Sequence, residues 1–136
     1  MHPLPLRLHP GEDLRAALEA AVLEHAIGAA FVLQGIGSLS VAQVRLAGAG
    51  QASELRGDLE ILTLAGSLAP DGAHLHIAVS DAQGAVLGGH LCAGCIVRTT
   101  AEILLAVLPD HAFSRELDVT GSGFRELRIR HRSSPP

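Results

Sequence analysis

Apolar residues recur along this chain at one of two spacings, and the spacing predicts the element. Leu14, Ala17, Leu18, Ala21, Val22 and His25 fall on one helical face while Arg15, Glu19 and Glu24 lie off it, which predicts an amphipathic helix over roughly residues 12–26. Glu12 and Asp13 suit the positive end of its dipole, and Gly28 is placed to end it. His25, near the C-terminal end, reads as a dipole partner rather than a ligand. Elsewhere the apolar runs are short and read as strands. Residues 4–8 form the first, interrupted by Pro5 and therefore expected at a sheet edge. Residues 29–33 and 39–47 are expected as two strands about a glycine-punctuated bend at 34–38, and residues 59–68 as a strongly apolar strand. Periodicity does not separate strand from helix for residues 95–97 and 101–108, although Thr99 and Thr100 favour strand. Residues 113–119 and 124–129 alternate about the turn 120–123 and close the chain as a hairpin.

One stretch carries candidate chemistry. His74 and His76 stand one residue apart, so on a strand they share a face with about 7 Å between their Cα atoms. The segment Asp81-Ala82-Gln83-Gly84 reads as a turn; with Gly84 left-handed in a three-residue loop, Asp81 pairs with Ala85. That register sets His90 across from His76, and all three imidazoles then face one side, as a three-histidine metal site requires. A slip of one residue would turn His90 away. Gly88 and Gly89 before it mark either a bulge or a place where a ligand or another backbone comes close. Glu60 is the odd residue of an apolar strand; it either faces water or orients a ligating imidazole from behind.

With 136 residues the chain is one domain, expected over residues 4–130 with a disordered tail at 131–136. The hydrophobic fraction, 48%, is high for a small domain, so part of that surface is expected to face another subunit. No apolar run is long enough to cross a bilayer and the first residues lack the pattern of a secretory signal, so the expected location is the cytoplasm. The formal net charge is -4, all the basic residues are arginine, and Tyr and Trp are absent, which argues against a nucleic-acid surface. Arg125, Arg128, Arg130 and Arg132 make the far end locally basic, either a nucleic-acid arm or, the preferred reading, a solvated strand end. Gly35-Ile36-Gly37 lacks the third glycine and following helix of a dinucleotide fingerprint. Cys92 and Cys95 form a single C-x-x-C without two further soft ligands or an evident helix start beneath it, and read as small core or strand residues.

The succession Pro10-Gly11-Glu12-Asp13-Leu14, Gly35-Ile36-Gly37-Ser38, Leu59 to Gly66, His74-Leu75-His76, Gly88-Gly89-His90-Leu91 and Thr99-Thr100-Ala101-Glu102 resembles the plants-and-prokaryotes conserved (PPC) domain from about Leu4 to Ile129. The resemblance implies an α/β (α+β) fold in which a mostly antiparallel sheet carries one principal helix, assembled as a homotrimer. It also implies that His74, His76 and His90 hold a divalent metal, with zinc the first candidate. In plants the domain follows AT-hook segments that bind the DNA minor groove; the Arg-Gly-Arg-Pro core of those segments is missing here.

Three functions follow from different classes: a metal-binding trimeric domain that acts on or senses a small molecule, a DNA-associated regulator by family analogy, and a structural oligomerisation module. Three neutral imidazoles leave an open coordination position, which favours the first. No Ser/His/Asp or Cys/His constellation supports naming a reaction or a substrate.

Overall fold

A computed structural model describes residues 1–133, and strands dominate it as the short apolar runs require. The elements follow in the order β1 (His2–Leu8), α1 (Leu14–Glu24), β2 (Ala30–Arg45), β3 (Ser53–Ala69), β4 (Gly72–Ser80), β5 (Val86–Leu91), β6 (Ile96–Val107), β7 (His111–Leu117) and β8 (Arg125–His131). All strand pairs are antiparallel, and six strands form one sheet in the order β1-β6-β2-β3-β4-β5. β5 also pairs with the end of β2 through Leu91 with Val44 and His90 with Arg45, so the sheet curls back on itself. β7 and β8 form a separate two-stranded sheet.

Alternation sends Val32, Leu64, Leu68, Leu75, Ile77, Leu91, Ile103 and Leu105 to the inner side, where they form one cluster with Leu14, Leu18 and Val22 of α1. Burying each leucine of this kind contributes about 1.5–3 kcal/mol. The helix starts where Asp13 caps it, its carboxylate accepting the Ala16 N–H at 3.0 Å. It ends two residues sooner than expected, and not at Gly28. Ala26 takes the left-handed conformation (φ 50°), donating to the Leu23 carbonyl while Ile27 donates to that of Val22. This 5→2 and 6→1 pair satisfies the last carbonyls, and burial of Ile27 fixes it with a non-glycine residue in the turn.

The expected bend at 34–38 is absent: β2 runs through it unbroken. Extra residues are absorbed as register shifts between Val32 and Gln34 and between Gly37 and Leu39. Gly37, at φ 143°, lies so close to β6 that a Cβ would sit 2.2 Å from the Thr100 carbonyl oxygen, so the glycine permits strand contact rather than a turn. Residues 96–107 likewise form one strand, β6, and β1 is an edge strand as Pro5 demanded. β1 begins at His2 and β8 runs through His131. The Arg132 N–H then bonds the Asp110 carbonyl at 2.8 Å; of the expected tail, residues 134–136 lie outside the described residues. No helix among the described residues is long and apolar enough to cross a membrane.

Candidate metal centre

The hairpin that carries the histidines is set by its turn. The Asp81 N–H donates to the Ala85 carbonyl at 2.9 Å, the Gly84 N–H returns to the Asp81 carbonyl at 3.0 Å, and Gly84 sits at φ 84°. The Asp81 carboxylate accepts the N–H groups of Gln83 and Ala85, both at 2.9 Å, which fixes the loop from inside. Counting outward from that turn, His76 pairs with His90. His74 precedes His76 by one pleat on the same side of β4, opposite to buried Leu75 and Ile77.

The three rings converge. Centroids are 5.0 Å apart for His74 and His76, 5.3 Å for His74 and His90, and 4.6 Å for His76 and His90. One ligating nitrogen from each lies within 4.8 Å of the others, and the Nε2 atoms of His74 and His76 are 3.2 Å apart. Bonds of 2.0–2.1 Å in a tetrahedral shell separate neighbouring ligand nitrogens by about 3.3 Å, so the donor set fits one divalent ion with small side-chain adjustments. His74 and His76 are exposed and His90 is half-buried, which leaves the outward side open.

The surroundings favour neutral rings, the form that binds metal. Partial burial pushes the His74 imidazole below its ordinary value, aided by the charge of Arg115 and opposed by Glu126. Burial also lowers His90, with Arg45, its partner across from β2, adding to the effect. Gly89 resolves the two readings of the glycine pair: a Cβ there would lie 2.6 Å from the Arg45 carbonyl oxygen, so the gap admits the backbone of β2.

Glu60 does not orient these rings. It pairs with Ser38 and Ser80, whereas His76 pairs with Ala65, five positions along β3 and about 15 Å away at strand spacing. It is exposed, the other reading of an acid in that strand. The C-x-x-C does meet a helix start, because the Gly94 N–H donates to Asp13 at 2.6 Å and the Leu14 N–H to the Cys95 carbonyl at 2.8 Å. Cys95 is nevertheless fully buried, its thiol pushed up by desolvation and bonded to the backbone of Gln43 at 3.2 and 3.5 Å, so it behaves as a core residue. Arg115 was missed in the sequence. It is buried beside Ser67, the residue across from His74, and the signal for it was the alternation Phe113, Arg115, Leu117, which puts it on the apolar side of its strand.

The family model of the Plants and Prokaryotes Conserved (PCC) domain matches residues 1–109. The chain belongs to this family. It is the family that the motif succession resembles, and the antiparallel sheet with one principal helix agrees with it. A curated relative in sequence, the bifunctional protein GlmU of a Synechococcus strain, is 48% identical over 132 residues, covering 97% of this chain and 21% of that protein. The chain thus spans about a fifth of the length of the curated relatives it matches. Among solved structures, a hypothetical protein from Salmonella cholerae-suis is 40% identical with a TM-score of 0.94, covering 97% of this chain and 95% of that chain. A metal-containing protein from Archaeoglobus fulgidus is 27% identical with a TM-score of 0.78, covering 93% of this chain and 92% of that chain.

Proposed function

We propose that this PCC-domain protein is a metal-binding homotrimer whose centre, formed by His74, His76 and His90, acts on or senses a small molecule. The observation that carries the reading is the convergence of three imidazole nitrogens within 4.8 Å on one open side of the β4–β5 hairpin. Neutral rings at such separations bind borderline divalent ions, zinc first and nickel, cobalt or iron as alternatives. A bound ion supplies a Lewis acid and lowers the pKa of its water. The protein's own part is to hold three rings at fixed register and to favour the neutral form of His74 and His90 by burial and by the charges of Arg115 and Arg45. That a structurally similar Archaeoglobus protein is metal-containing supports this reading.

Self-association is motivated by the outer face of the central strands. Phe31 and Ile36 of β2, Leu62 of β3 and Leu104 of β6 are exposed there, at 37%, 46%, 43% and 37%. An apolar patch of this kind on neighbouring strands is the sort that monomers rarely leave uncovered.

The decisive experiment is elemental analysis of the purified chain, followed by metal titration of wild type and His76→Ala. One equivalent per chain is expected for wild type and none for the variant. Full stoichiometry in His76→Ala would remove the centre from this reading.

A further inference from the structure

The outer face beside His74 holds a buried cation that forms no ion pair among the described residues. Arg115 is 8% exposed, and it comes from β7, beyond the residues that the family model matches. Its guanidinium reaches β3, where a terminal nitrogen donates to the Ser67 hydroxyl, and Ser67 pairs with His74. Its Nε is buried and has no partner among the described residues. Asp71 is near, but both its carboxylate oxygens accept the backbone N–H of Arg115, at 3.1 and 2.9 Å. None of the ion pairs among the described residues includes the Arg115 guanidinium. Desolvation outweighs the pull of Glu126 and Asp71, so its charge is held less firmly than an ordinary arginine's.

A buried guanidinium costs several kcal/mol unless an anion pairs with it. Here the cation lies within one residue pair of a histidine ligand, and no carboxylate among the described residues forms an ion pair with it. We propose that Arg115 anchors an oxyanion, the carboxylate or phosphate group of a small molecule, bound on the outer face between its guanidinium and the three-histidine centre. The inference rests on the metal reading above, because the open position of the ion provides the ligand's second contact. Two positive centres side by side select an acid over a neutral or cationic molecule. The planar fork of N–H donors matches a carboxylate or phosphate, and an anionic oxygen completes the shell of a divalent ion. The ligand class is therefore narrower than that of the centre alone, and the residue that narrows it lies on the C-terminal hairpin.

The test uses the full chain loaded with cobalt(II), held at constant ionic strength with chloride. It is titrated with inorganic phosphate and, separately, with acetate while the visible absorption of the metal is recorded. A saturable spectral change is expected with at least one anion, and the tighter of the two names the oxyanion class. Arg115→Met is expected to weaken that anion roughly tenfold or more, the worth of a hydrogen bond to a charged group, while still loading one equivalent of cobalt at saturation. Ser67→Ala, which removes the hydroxyl that orients the guanidinium, is the second variant should Arg115→Met not fold. It is expected to weaken the anion as well, again without loss of cobalt. If cobalt loads and neither anion alters the spectrum, or the variants respond as wild type, the anchor is overturned and the metal reading stands. If no cobalt loads, both fall. A change of oligomeric state in Arg115→Met would identify the counterion as a carboxylate of a second copy and overturn the small-molecule anchor.

Discussion

At the scale of single residues, the three imidazoles do unequal work. His76 stands between the other two, across from His90 and one pleat from His74, so its loss opens the donor set at the middle. Because it is exposed, His76→Ala should leave the stability of the metal-free protein within about 0.5 kcal/mol of wild type while abolishing metal uptake, as calorimetry would read. Protons compete with metal for the same nitrogens, so affinity falls as pH falls. His74 and His90 are held below 6.5, hence uptake should persist to a more acidic pH than a free imidazole would allow. The sign for stability follows from the same shift. Unfolded rings bind protons first as pH falls, so the metal-free fold is favoured fully above the unfolded pKa and loses this contribution as pH drops through the lowered folded values. Melting curves across that window check the direction; a fold that gains stability on acidification there would contradict it.

At the scale of elements, the centre depends on the meeting of β5 with β2, in which His90 itself pairs with Arg45. β5 reaches β2 because Gly89 leaves room for the Arg45 carbonyl. Gly89→Ala puts a methyl group 2.6 Å from that oxygen, and the neighbouring His90 must move with the backbone. A loss of about 1–3 kcal/mol in urea denaturation is expected, together with weaker metal binding. Unchanged affinity would show that His90 is positioned by its hairpin alone. The helix start is a second junction. Asp13 caps α1 through Ala16 and also accepts the Gly94 N–H of the cysteine loop, so one carboxylate ties the helix to the β5–β6 connection. Asp13→Ala should cost about 1 kcal/mol for the cap, and more for the Gly94 donor it leaves unpaired.

At the scale of the whole molecule, one helix covers the inner side of the sheet, while the outer side is covered in part by the β7–β8 hairpin, where Phe113 meets Phe31 edge-on at 5.4 Å. Ile36 and Leu104 lie beyond that cover. Ile36→Asp should therefore convert a trimer to monomers in light scattering without unfolding the chain, and a wild type that is monomeric at micromolar concentration would end the trimer proposal. Charge at this scale argues on nucleic acid. The net charge is -4, Arg130 is paired with Glu116, and Arg125 donates to the Arg115 carbonyl, so affinity for duplex DNA at physiological salt should be weaker than roughly micromolar in a shift assay.

The sequence by itself determined the local features. The turn chemistry of Asp81 and Gly84 fixes the hairpin register within ten residues, and register alone decides that His76 faces His90. Helical periodicity likewise located the face of α1, and Pro5 located the sheet edge. Only the tertiary structure decided what lies between distant segments. Gly35 and Gly37 read as a bend, yet β6 and β3 pass close enough that glycine is the residue a continuous strand needs there. Glu60 and Arg115 exchanged roles for the same reason. Glu60 shares the strand next to the histidines but register carries it away, whereas Arg115, about forty residues along the chain from His74, is folded onto Ser67 by a hairpin whose docking no local pattern encodes. Turns and periodicities are short-range and are written in neighbouring residues; the contact of one strand with another fifty residues away depends on burial shared by the whole core, which no stretch of sequence states alone.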